Sequence, residues 1–111
     1  MATITDEFMK EMLAKAKHYA LVVLRDGPNM DKPDMKKVIW EHGRRNFALR
    51  KNGLLSIVCP VSSEGSLAGI AIFNAPVDKV KQIMAEDPAV KSGALTYEVL
   101  DCRSFPGDRL P

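Results

Sequence analysis

With 111 residues, the chain is long enough for one domain with a modest core and too short for two ordinary ones. A hydrophobic share of 46% and a charged share of 27% exclude wholesale disorder. A net charge of +2 with only 6% aromatics offers neither the basic face nor the stacking platforms of a nucleic-acid binder.

The amino-terminal stretch, residues 4–17, reads as a helix. Ile4, Phe8, Met12 and Leu13 recur at helical spacing, with Met9 and Ala16 beside them. Thr3 followed by Asp6 resembles a capping box. The expectation is a packing helix appended to the domain, since its polar positions mix acids and bases rather than showing the basic face of a membrane-surface helix. Charges at Asp6, Glu7, Lys10 and Glu11 leave no signal-peptide core, and no apolar run approaches the roughly 20 residues that span a bilayer. A cytoplasmic location is therefore expected.

From His18 to Arg25 the chain reads HYALVVLR, an unbroken apolar run expected to be a strand buried on both faces. A sheet with helices on one side only must have its other side covered, and a second copy of the chain is the simplest cover. The loop DGPNMDKP (26–33) is dense in turn residues. A helix is expected over 33–52, with Pro33 at its first position and Asp34 near the positive end of its dipole. Met35, Val38, His42 and Leu49 lie along one stripe, with Ile39 and Phe47 flanking it. Gly53 ends the helix as a left-handed residue.

LLSIVCPV (54–61) and LAGIAIFN (67–74) read as strands joined by the turn SSEGS. A further helix is expected over 74–86, with Pro76 in its first turn and Val77, Val80, Ile83 and Met84 as its buried stripe. Pro88 stops that helix at Asp87, which then caps one short extra turn ending at Gly93. ALTYEVLDCR (94–103) alternates in part, with Leu95, Tyr97 and Val99 on one face, as an edge strand does. The order strand, helix, hairpin, helix, strand gives an α+β, ferredoxin-like βαββαβ domain. Its four-stranded antiparallel sheet has helices on one face and an extra amino-terminal helix. The corresponding division is a helical extension (1–17), the domain (18–104) and a tail (105–111).

His42 is the residue most in need of explanation, because it puts a titratable ring on an apolar stripe. It reads either as a neutral core histidine or as an acid/base group. Asp87 reads as an N-cap, yet a cap uses one carboxylate oxygen and leaves the other to orient an imidazole. Ser66 is a turn residue or a ligand hydroxyl. Arg25 is an exposed strand end or an anion-holding cation. Trp40 and Tyr97 are pocket walls or packing contacts. Cys59 and Cys102 lack CxxC spacing and are expected reduced, and no metal-ligand spacing or phosphate loop is present.

The segments HYALVVLRDGP, EHGRRNFALRKNGLL, EGSLAGIAIF and AEDPAVKSGALTYEV resemble the YCII-related family. This resemblance runs from about His18 to Arg103. It implies ferredoxin-like protomers similar in fold to muconolactone isomerase, paired sheet to sheet as a dimeric α+β barrel. It also implies a His–Asp catalytic pair at His42 and Asp87. By residue type, Ser66, Arg25 and Trp40 are candidate substrate-binding residues, and no cofactor or metal is expected. The family has no single settled activity; one member group includes a dehydrochlorinase acting on a chlorinated hydroxyhydroquinone. The functional expectation is acid/base elimination or isomerisation on a small cyclic or aromatic oxygenated molecule. The alternatives are a non-catalytic binding or regulatory barrel and a cofactor-independent monooxygenase. The expected partners are a second copy and a small-molecule ligand, with no nucleic acid and no membrane.

Overall fold

The structure, a computed structural model, describes residues 2–111. Its elements run α1 (Asp6–Ala14), β1 (Lys17–Asp26), α2 (Met35–Lys51), β2 (Leu55–Pro60), β3 (Leu67–Phe73), α3 (Val77–Ala85), α4 (Pro88–Lys91) and β4 (Leu95–Ser104). The strands form one antiparallel sheet in the order β2-β3-β1-β4. This is the expected ferredoxin-like α+β plan, with the two most continuously apolar strands, β1 and β3, at its centre.

The register shows how the pleat sorts the side chains. Val22 pairs with Ala71 and Val99, while Leu21 pairs with Ile72 and Leu100. Successive residues point to opposite faces, so the first set turns toward the helices and the second turns away. Ala20, Val22 and Leu24 are buried with Phe73, Leu55, Val80 and Met84 in a single core. Burying side chains the size of Phe73 or Val80 contributes about 1.5–3 kcal/mol each. The opposite face is open in a single chain. Leu100 there is 43% exposed and Ile70 37%, whereas Leu21, Val23, Ile57 and Ile72 are half-buried. The strand β1 is thus covered on one face by its own chain, not on both.

Several local expectations need correction. The amino-terminal helix is capped by Thr5, whose hydroxyl accepts from the Phe8 N–H at 3.1 Å, so the Thr3–Asp6 pair caps nothing. Nor does α1 pack on the domain within one chain. It has no buried residue, and Phe8, Met9 and Leu13 are about half exposed. An apolar stripe records that a helix has something to cover, not which molecule supplies it. Pro33 lies in the turn before α2 rather than in its first position, and Asp34 makes no side-chain cap. Pro76 likewise precedes α3, in extended conformation. The ends of α2 and α4 fall where expected, at Gly53 (φ +80°) and Gly93 (φ +78°).

Candidate functional site

Two neighbouring helix ends build the site. The α3 helix stops at Ala85, and Asp87 then adopts extended backbone (φ −68°, ψ 133°) because Pro88 follows it. In that conformation its carboxylate folds over the start of α4, and Oδ1 accepts the Ala89 N–H at 2.8 Å. The other oxygen, Oδ2, faces the middle of α2. There it meets His42 Nδ1 at 2.8 Å and Arg45 Nη1 at 3.4 Å. The cap therefore leaves half of the carboxylate for the imidazole, as its dual reading requires.

Asp87 is fully buried, and its partners decide its charge. Burial alone would raise its pKa. The hydrogen bond and charge of His42, the Ala89 N–H and the Arg45 guanidinium together outweigh that and hold it below the ordinary value of 3.8. An ionised Asp87 accepts from Nδ1–H, so that whenever the ring carries one proton its Nε2 is the lone-pair acceptor. Nε2 takes the amide of Asn46 at 3.3 Å, longer than a usual N–H donor contact. The amide lies four residues on along α2, on the same helical face.

The His42 side chain is 12% exposed, and it opens onto a cavity of about 480 Å³ between α2 and the sheet. The wall is largely apolar: Val22 and Leu24 from β1, Ile39 and Phe47 from α2, and Ala71 and Phe73 from β3. Polar groups on the α2 side are His42 and Asn46. An apolar pocket with a few convergent polar groups is the usual form of a small-molecule site.

The remaining candidates lie elsewhere. Arg25 sits at the end of β1 on the sheet face away from the helices, half exposed and 3.4 Å from Glu98. Trp40 is 70% exposed on the outer surface of α2, and the Tyr97 hydroxyl reaches the Lys81 carbonyl at 3.5 Å. Ser66 is exposed in the β2–β3 hairpin, and its carbonyl accepts the Asp26 N–H at 2.8 Å. Its neighbours Gly65 and Leu67 line the cavity, but Ser66 itself does not. Residue type alone could not separate the two faces of the sheet or the two sides of α2 for these residues. Conversely, Arg45 and Asn46 join the site without having been singled out. Their i+3 and i+4 spacing from His42 was the available signal.

Among the described residues, no group of three His, Cys, Asp or Glu side chains is gathered as metal ligands would be. In the same set, no helix is long and apolar enough to cross a membrane.

No protein-family model matches the chain, and no curated protein matches it in sequence. Among solved structures, the fold is similar to that of 5-chloro-2-hydroxyhydroquinone dehydrochlorinase from Burkholderia phenoliruptrix AC1100, in complex with 2,5-dihydroxybenzoquinone. The TM-score is 0.53 and the identity 18%, over 80% of this chain and 95% of that one. At that identity the two chains share a fold, in agreement with the architecture implied by the YCII-related resemblance.

Proposed function

We propose that this is a YCII-related enzyme working through side-chain acid/base chemistry on a small cyclic or aromatic oxygenated substrate. The observation that carries this reading is the 2.8 Å His42–Asp87 bond set in the wall of a largely apolar cavity. In the reaction, His42 Nε2 takes a proton from a C–H or O–H activated by a neighbouring carbonyl. The electron pair left behind moves onto the carbonyl oxygen as an enolate. In an isomerisation the ring returns the proton to another carbon of the conjugated system. In an elimination the enolate pair reforms the carbonyl, a new C=C bond forms, the leaving group departs with its electrons, and the ring passes its proton to the leaving group or to water. Asp87 holds the ring in place and faces the positive charge the ring gains with the proton, while the apolar walls keep water from competing. Asn46 has a second amide N–H to offer the developing oxygen anion.

A second reading is a non-catalytic binding barrel, and one observation favours it: both ring nitrogens of His42 have protein partners. A thermal-shift screen of hydroxylated quinones and phenols, followed by turnover assays of each binder, separates the two. The enzyme reading expects turnover that is lost in a folded His42→Ala protein. Binding without turnover in the wild type selects the barrel.

The open sheet face supports a homodimer as part of the same proposal. Ile70 on central β3 and Leu100 on edge strand β4 are more than a third exposed on this face, with half-buried Leu21, Val23 and Ile72 on the same face. A second copy packed sheet to sheet covers such a face and completes a barrel. A cytoplasmic location goes with this proposal through the free thiols Cys59 and Cys102.

A further inference from the structure

We infer that Gly43 is the residue that sets the shape of the ligand: a flat ring bearing hydroxyl or carbonyl groups, seated in a notch beside His42. This rests on the small-molecule site proposed above and adds to it the residue that admits a flat ring.

The argument begins with the cost of the residue. Glycine inside a helix is less favourable than alanine, so a mid-helix glycine calls for a reason in packing or function. The other glycines of the chain have structural reasons. Gly53, Gly65, Gly93 and Gly107 hold left-handed backbone, with φ between +78° and +121°. A side chain on Gly27 would strike the Gly93 carbonyl, and one on Gly69 would lie 3.1 Å from the Cys59 carbonyl. Gly43 shares none of these constraints. It sits within α2, and a Cβ placed there meets, beyond its chain neighbours and the helix's own backbone, no atom within 4 Å. The fold would accept alanine, and the helix would prefer it.

The open space beside Gly43 belongs to the cavity. Ile39 and Phe47 stand four residues before and after it, so the three form one row along the helix, with the outer two about 12 Å apart along the axis. Both line the cavity, and Phe47 is 67% exposed. The missing side chain thus leaves a notch between two apolar walls, with bare backbone as its floor. Close approach of a ligand to backbone is a common use of glycine. The polar groups beside the notch, His42 and Asn46, offer an acceptor and a donor to ring substituents. A flat face can rest on the floor and against the Phe47 ring. A bulky sp³ skeleton would need the same space in three dimensions.

The test uses Gly43→Ala and Gly43→Leu in the full chain, with 2,5-dihydroxybenzoquinone and benzene-1,2,4-triol as probes in calorimetric titrations. Both variants should fold, and Gly43→Ala should melt about 4 °C above wild type because the helix gains propensity. Wild type should bind at least one probe. Gly43→Ala should weaken that binding several-fold and Gly43→Leu at least about tenfold. Failure of wild type to bind either probe overturns the proposal, as does a folded Gly43→Leu protein that binds within twofold of wild type. His42→Ala keeps the two ideas apart. Turnover that is lost in His42→Ala and intact in Gly43→Leu leaves the enzyme reading standing and removes the notch. Probe binding that is lost in Gly43→Leu, without turnover by wild type, does the reverse.

Discussion

Replacing Asp87 separates what the carboxylate does for the fold from what it does for the imidazole. Asp87→Ala removes the α4 cap, a loss of about 1 kcal/mol. It also leaves His42 Nδ1–H without its acceptor in a site that is 12% exposed, a further cost of about 1–2 kcal/mol. Arg45 adds little, because its side chain is 26% exposed and water can replace the 3.4 Å contact. The sum is about 2–3 kcal/mol, a large part of the 5–15 kcal/mol typical of a domain. Asp87→Asn behaves differently. Its Oδ1 still caps Ala89, so the stability loss should stay near 1 kcal/mol or below. Its amide nitrogen, however, faces Nδ1 as a donor, which forces the ring into the opposite tautomer. Nε2 then carries a hydrogen toward the Asn46 amide and cannot accept a substrate proton. A comparable tautomer reversal in the serine-protease triad lowers turnover about 10⁴-fold. Urea denaturation of the two variants, with midpoint and slope both measured, gives the stability difference. Turnover of a substrate found by screening gives the chemical one. If the asparagine variant is as unstable as the alanine variant, or is stable and fully active, the assignment of separate duties to the two oxygens is refuted.

The same carboxylate gives a pH dependence. Its pKa is held below 3.8 in the folded state, so below that value the unfolded chain takes up protons that the folded chain resists. The stability from Asp87 should be fully present above the ordinary carboxylate value and lost as pH falls through the lower folded one. Acid denaturation followed by circular dichroism should show this loss in wild type and a shallower one in Asp87→Asn. On the open sheet face, Ile70→Glu with Leu100→Glu should convert a dimer to a folded monomer, read by multi-angle light scattering; a wild-type monomer contradicts the proposed pairing. The Cys102 thiol, pushed above its usual 9.0 by burial and by the charge of Asp101, should react with iodoacetamide at pH 8 more slowly than a free cysteine, followed by mass spectrometry.

Much of the fold was legible because it depends on patterns that local chemistry enforces. Unbroken apolar runs at HYALVVLR and LAGIAIFN belong to central strands, and they lie at the centre of the sheet. Pro88 and Asp87 locate a helix stop and a cap in a single dipeptide, and the structure places both there. The His42–Asp87 contact was legible in part, since a capping carboxylate keeps one oxygen free, and the resemblance supplied the imidazole as its partner. Less legible was anything that depends on the space between elements. Gly43 looks like a mild defect in a helix until the cavity beside it is known. Arg25, Ser66 and Trp40 have chemistry suited to a ligand, yet strand alternation turns Arg25 away from this cavity, helix rotation turns Trp40 away, and Ser66 stays in the exposed hairpin turn. The stripe on α1 marks an apolar face, and in a single chain that face stays exposed.

Solvent exchange tests the central claim, that His42 Nε2 moves a proton to and from a molecule in the cavity, without requiring the complete reaction. Proton NMR in D₂O follows exchange of the ring hydrogens of benzene-1,2,4-triol with and without protein. Wild type should accelerate exchange over the spontaneous rate. A folded His42→Ala protein should lose about 10²-fold or more of that acceleration, the range expected of a general acid/base. Equal exchange in wild type and His42→Ala would contradict the account.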